Sequence, residues 1–350
     1  MNNYVTVEKL TKKYGELVAV DNLSFTVGEN EIFGFLGPNG AGKTTTLNVI
    51  STLSDYDRGS VDIAGYDLAT NPVKIKALLG VVPQEIALYG LLTAAENIAL
   101  FASLYGLRGK ELKRAVDEAL DFVGLADERK KRAGKLSGGM RRRLNIACGI
   151  AHRPKLIIMD EPTVGVDARS RDMILRSIRA LRDGGATIIY TSHYMPEVQE
   201  IADRIAIIDK GRLAAIGTEK ELLGYVTDRK SIRIVAGSGD TDAKRAAAAD
   251  IAKLAGVKNA KYAEGGDELR VDVDLELANI SPLLKVLMDR GVTIKSFEEE
   301  APNLETTFLA LTGSELGDDG DGYGGGEPAE DAGRGGHGER GASGGKQRRA

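Results

Sequence analysis

The sequence predicts an α/β fold with an all-helical insert, followed by a small α+β unit and a Gly-rich tail. Three observations predict it. From residue 1 to about 228, short apolar runs alternate with longer amphipathic segments. Gly37-Pro38-Asn39-Gly40-Ala41-Gly42-Lys43-Thr44-Thr45 has the pattern G-x-x-x-x-G-K-T and stands between an apolar run, 32–36, and a helix-like run, 45–53. Leu156-Ile157-Ile158-Met159-Asp160-Glu161 is an apolar strand that closes on two carboxylates.

Strands are expected at 5–10, 23–27, 32–36, 61–63, 79–82, 156–159, 186–191 and 204–209. Several are apolar throughout, as strands covered on both faces require. From 91 to 135 the period becomes helical. Thr93 with Glu96 reads as a capping box, and Leu112, Val116, Leu120 and Val123 share one face of the next helix. This block is the helical insert. A strand at 232–235, a helix at 242–254, strands at 257–263 and 269–273, a helix at 280–290 and a strand at 292–297 follow. That βαββαβ order is ferredoxin-like, and a closing helix is expected at 303–311. The domains read as 1–228, 231–312 and a tail, 313–350. The tail is rich in Gly, acidic first and basic last. With almost no apolar residues it cannot offset an ordering cost of about 1–2 kcal/mol per residue, so disorder is expected.

Composition narrows the function. The 350 residues carry a formal net charge of −4, which argues against nucleic acid as the main partner. The one cysteine, Cys148, excludes an internal disulfide, fits a reducing compartment and sits in an apolar helix as a core residue. Met1-Asn2-Asn3-Tyr4 does not begin a basic-then-apolar signal segment. No run approaches the roughly 20 apolar residues that cross a bilayer. Work at a membrane would need a partner that supplies the spanning part.

The glycine-rich loop is a phosphate cradle. Its glycines let backbone N–H groups turn inward, Lys43 adds positive charge at the outer phosphates, and the Thr44 hydroxyl is placed to bind Mg²⁺. The following helix offers its free N–H groups to the anion. Asp160 is placed to hold Mg²⁺ and Glu161 to polarise an attacking water. Leu136-Ser137-Gly138-Gly139-Met140 precedes Arg141-Arg142-Arg143. Ser137 suits a helix N-cap, and the N–H groups of Ser137, Gly138 and Gly139 make a second anion site. The arginines by themselves read as a solvated basic turn.

The phosphate loop, then LSGGM, then LIIMDEP, in that order and spacing, resemble the ATP-binding subunits of ABC transporters, a P-loop NTPase family. The resemblance covers residues 1 to about 225. It implies that Tyr14, read as lying between the first two strands, stacks on adenine. It implies that Gln84 reaches Mg²⁺ and the attacking water, that His193 senses the γ-phosphate, and that Asp167 communicates across a dimer. It also implies ATP and Mg²⁺ as cofactors, a nucleotide-induced homodimer, a membrane permease as partner, and a peripheral place at the cytoplasmic face. Met140 departs from the pattern, since many members carry glutamine there. LSGGM with three arginines, Val82-Pro83-Gln84-Glu85 and the ending Leu304-Glu305-Thr306-Thr307-Phe308 are similar to the separate-chain exporter ATPases of the drug-resistance and sodium-extrusion group. A soluble assembly or regulatory ATPase, such as one for cluster-scaffold delivery, and an importer ATPase are the alternatives. The cargo is not written in this chain.

Overall fold

A computed structural model describes residues 3–226, 229–237, 241–262, 266–274, 279–300 and 303–312. The tail at 313–350, expected to be disordered, lies outside the described residues. The chain opens on a hairpin of β1 (Asn3–Tyr14) and β2 (Leu17–Gly28). Then come β3 (Ile32–Leu36), α1 (Lys43–Ile50), β4 (Arg58–Ile63), β5 (Tyr66–Asp67), α2 (Pro72–Leu78) and β6 (Leu79–Val82). The insert is α3 (Ala94–Leu104) and α4 (Gly109–Phe122). Next are α5 (Gly138–Ile150), β7 (Leu156–Asp160), α6 (Ala168–Asp183), β8 (Thr187–Ser192), α7 (Met195–Ile201), β9 (Arg204–Asp209), β10 (Arg212–Gly217) and α8 (Glu219–Leu223).

A six-stranded sheet, ordered β10-β9-β3-β8-β7-β6, forms the centre. Its strands β9, β3, β8, β7 and β6 are parallel, and β10 closes one edge antiparallel. The period-two alternation of a strand sends its side chains to two cores. Ile32 and Leu36 of β3, with Ile157 and Met159 of β7, face a core shared with the helical insert, α5, α6 and α7. Phe33 and Phe35, with Leu156 and Ile158, face a second core. There they meet the four-stranded antiparallel sheet β2-β1-β4-β5, which contributes Val5, Val7, Leu23 and Phe25. Double-sided burial explains why β3, β7 and β8 are buried at every residue.

The insert forms as its pattern requires. Thr93 and Glu96 make the reciprocal capping box, and Val116, Leu120 and Val123 are buried while Leu112 packs at the margin of the same core. Cys148 is buried there too, and burial pushes its thiol up to about 12.

The hairpin is longer than expected. Tyr14 therefore ends β1, paired with Leu17, instead of lying in a loop between strands. β10 was not expected: Leu213-Ala214-Ala215-Ile216 is a weak strand former. It is set by a two-residue turn in which Lys210 (φ 48°) and Gly211 (φ 78°) both adopt the left-handed conformation that hairpins favour.

After residue 228 come β11 (Arg229–Ala236), α9 (Thr241–Ile251), β12 (Val257–Tyr262), β13 (Glu268–Asp274), α10 (Ser281–Asp289), β14 (Ile294–Glu300) and α11 (Leu304–Thr312). The strands form an antiparallel sheet, β12-β13-β11-β14. Ile232, Ile234, Val271 and Val273 pack on Ala247, Ile251, Leu283 and Leu287 of its two helices. The closing helix α11 packs elsewhere: Leu304 and Phe308 are buried in the core shared by α5, α6 and α7.

Candidate functional site

Parallel strands end at one edge of their sheet, and ligands bind at that carboxyl edge. The register places Leu36 opposite Ser192, Asp160 opposite Thr191, and Val82 opposite Met159. The phosphate loop, Gln84, Asp160-Glu161 and His193 therefore all leave the sheet at this edge.

The loop runs from β3 into α1. Gly42 has φ +98°, and a Cβ there would stand 2.5 Å from the Ala19 carbonyl oxygen, so only glycine fits. Lys43 Nζ donates to the Gly37 and Pro38 carbonyls at 2.6 and 3.1 Å, which folds the loop around its ammonium group. Burial lowers the Lys43 pKa, while Glu161 and Asp160 oppose that shift.

Thr44 Oγ1 donates to Asp160 Oδ2 at 3.1 Å, and Thr191 Oγ1 donates to Asp160 Oδ1 at 2.6 Å. Gln84 Nε2 donates to Glu161 Oε2 at 2.9 Å, and His193 Nδ1 lies 3.4 Å from Glu161 Oε1. The hydrogen bond to His193 is the largest cause holding the Glu161 carboxyl below its ordinary range; burial opposes it, and the His193, Lys43 and Arg142 charges reinforce it. Among the described residues no three His, Cys, Asp or Glu side chains form a metal cage. The donors are instead a carboxylate, a hydroxyl and a side-chain amide. That set suits Mg²⁺, a hard cation held by oxygen donors that include one or two carboxylates and completed by phosphate oxygens and water.

Glu161 has φ 46°, a left-handed conformation that costs a non-glycine residue about 1–2 kcal/mol. Two groups hold it. The Glu161 N–H donates to Thr191 Oγ1 at 3.0 Å, and Arg142 Nη2 donates to the Glu161 carbonyl at 2.6 Å. Arg142 Nη1 also donates to the Gln84 and Pro83 carbonyls at 2.6 and 3.1 Å. Arg142 is 3% exposed, so it is no part of a solvated basic turn. Neither Arg142 nor Thr191 was found from the sequence as a site residue. The signal for Arg142 was its position in line with the apolar stripe of α5, where Asn145 and Ile146 are also buried.

The remaining expected residues lie apart from this cluster. Ser137 caps α5 by accepting from the Met140 N–H at 3.3 Å. A Cβ on Gly139 would fall 2.3 Å from Ser170 Oγ, so α5 and α6 approach closely only through glycine. Asp167 caps α6, accepting from Ser170 N–H and O–H at 2.9 and 2.8 Å, and these bonds lower its pKa. Among the described residues no side-chain hydrogen bond joins Ser137, Gly138, Gly139 or Asp167 to residues 37–45. Tyr14 is half exposed, with Lys12 Nζ 5.2 Å from its ring centroid, so one aromatic surface is accessible at the hairpin end.

The family described as ABC transporter matches residues 20–164. The linearmycin resistance ATP-binding protein LnrL of Bacillus subtilis (strain 168) is 41% identical over 315 residues, covering 89% of this chain and 99% of that protein. The daunorubicin resistance ATP-binding protein DrrA2 of Streptomyces coeruleorubidus is 35% identical over 321 residues, covering 89% and 96%. Among solved structures, a dimeric ATP-binding cassette in a post-hydrolysis state with ADP and phosphate is 28% identical, with a TM-score of 0.57, and covers 61% of this chain and 98% of that one.

Proposed function

The chain belongs to the ABC transporter family as an ATP-binding, ATP-hydrolysing subunit, and we propose that it energises export through a separate membrane permease. The observation that carries the chemistry is one continuous set of contacts. Thr44 meets Asp160, while Gln84 and His193 meet Glu161, all at one sheet edge. The direction of transport rests on the relatives, whose names are those of drug-resistance ATP-binding proteins.

Lys43 and the loop N–H groups bind the β- and γ-phosphates, and the α1 terminus favours their charge. Tyr14 stacks on adenine. Thr44, Asp160 and Gln84 would hold Mg²⁺, which neutralises charge on the β- and γ-oxygens. Glu161 accepts a proton from the attacking water; its carboxyl, held below the ordinary range, is ionised at neutral pH. His193 orients that carboxylate and reads the γ-phosphate. Arg142 and Thr191 keep the Glu161 backbone in its left-handed conformation, so the base is set before reaction.

Ser137, Gly138 and Gly139 stand apart from their own phosphate loop, and we assign them to the γ-phosphate bound by a second copy. Two copies close head to tail around two nucleotides, and Asp167, beside Gly139, communicates across that seam. Hydrolysis removes the bridging group and the pair opens. The helical insert, tied to the segment that follows Gln84 through the Tyr89 N–H that donates to Asn97 Oδ1 of α3, passes the cycle to the permease. ATP drives the partner only as far as it binds the closed pair more tightly.

Among the described residues no helix is long and apolar enough to cross a membrane, and we place the subunit beside its permease at the cytoplasmic face. We take 1–228 as the ATPase domain and 231–312 as an accessory domain. The strand order β14-β11-β13-β12 with two helices on the sheet supports a ferredoxin-like reading of the second. The test is Glu161→Gln: titration should find ATP bound as in the original chain while phosphate release is lost. Turnover at the original rate would remove Glu161 as the base.

A further inference from the structure

A buried carboxylate that the mechanism above does not use lies directly behind His193. Glu197, on α7, is 3% exposed. Its Oε2 accepts from Thr163 Oγ1 and Tyr190 OH, both at 2.6 Å, and from Ser192 Oγ at 3.3 Å. Its Oε1 is 3.1 Å from Arg171 Nε on α6. Arg171 also lies over the Tyr194 ring, 4.9 Å from its centroid, and the Tyr194 N–H donates to Ser192 Oγ at 2.9 Å. Both chain neighbours of His193 are thus tied to one carboxylate, directly or through a single partner.

The same carboxylate reaches the other half of the catalytic pair. Thr163, which donates to Glu197 Oε2, is two residues beyond Glu161, and Arg171 sits in the first turn of α6. Glu197 is buried while its ionic partner Arg171 is partly exposed, and burying a carboxylate costs desolvation that offsets much of the attraction. This one converges on three segments that must keep a fixed spacing. We propose that Glu197 is a positioning residue for hydrolysis: it sets the separation of His193 from Glu161 by holding the Ser192–Tyr194 turn against the segment from Glu161 to Thr163. The inference rests on the roles proposed above for His193 and Glu161.

The test uses the full chain with Glu197→Gln, which keeps the shape but sets an amide against Arg171 or a hydroxyl. kcat should fall about 10-fold or more while KM for ATP stays within about 3-fold, the signature of a group that acts on the chemical step. The chain has three histidines, so imidazole proton signals are few, and that of His193 is assigned by its loss in His193→Ala. It should move in Glu197→Gln while that of His152 stays. An original kcat, or a reduced kcat with an unmoved His193 signal, overturns the inference. Should Glu197→Gln fail to fold, Tyr190→Phe removes one of the three donors and must show the same two changes, or the inference is wrong. His193→Ala turning over ATP at the original rate would overturn the parent reading and the inference with it. Slow His193→Ala beside an unaffected Glu197→Gln overturns the inference alone.

Discussion

In the function proposed above, nucleotide binding rests most heavily on Lys43. Lys43→Ala removes the charge and the donor that folds the loop over itself, and should abolish tight ATP binding; an unchanged dissociation constant in titration would reject the loop assignment. Its ionisation also gives a pH prediction. Burial lowers the Lys43 pKa and Glu161 raises it. Affinity for an unhydrolysable ATP analogue should therefore decline on the alkaline side at a pH below the ordinary lysine range. In Glu161→Gln an opposing carboxylate is gone, so that decline should move to lower pH still. A titration in which Glu161→Gln moves it upward would contradict the coupling. The residues that gather at this sheet edge were legible because each sits in a motif of fixed spacing: Lys43 and Thr44 in the loop, Asp160 and Glu161 at the end of an apolar strand. Arg142 and Thr191 were not, because their work is done by hydrogen bonds to backbone groups distant in sequence. No local pattern announces a partner 19 or 30 residues away. Asp167 shows the converse: its motif position was visible, but its helix cap needed coordinates.

At the scale of elements, α5 links the two ends of the proposed cycle. Ser137 caps it at the Ser137-Gly138-Gly139 turn, and within two turns Arg142 grips the Gln84 and Glu161 carbonyls. In the proposed cycle, a shift of the Ser137-Gly138-Gly139 turn is carried along α5 to the backbone of Glu161. α11 has a different role from the one its place in the chain suggested. Following the second sheet, it read as a closing helix of that unit, yet its apolar face is buried against the ATPase core. Phe308→Ala should therefore lower the unfolding free energy by about 3–5 kcal/mol, the usual cost of emptying a fully buried aromatic site. Urea unfolding followed by circular dichroism measures it; a loss below about 1 kcal/mol, as at an exposed site, would place α11 off the core. Strands buried on both faces were legible as continuous apolar runs, β3 and β7 above all. β10 was not, because its residues are small and its strand is set by the Lys210-Gly211 turn and the pairing with β9. The far partner of α11 was equally unreadable, since an amphipathic stripe says that a face is buried and not against what.

For the whole molecule, the proposed cycle needs two chains. The phosphate loop, Asp160, Glu161, Gln84 and His193 gather at one edge, and among the described residues no side-chain hydrogen bond joins the Ser137-Gly138-Gly139 turn to that loop. In the function proposed above, a second copy supplies what each nucleotide lacks. The direct test is the size of Glu161→Gln in solution with ATP and Mg²⁺, where nucleotide is bound but not consumed. Gel filtration with light scattering should give twice the 37.3 kDa chain mass with ATP and the single mass without it. A chain that binds ATP yet stays at the single mass at every protein concentration would contradict closure of two copies around shared nucleotides.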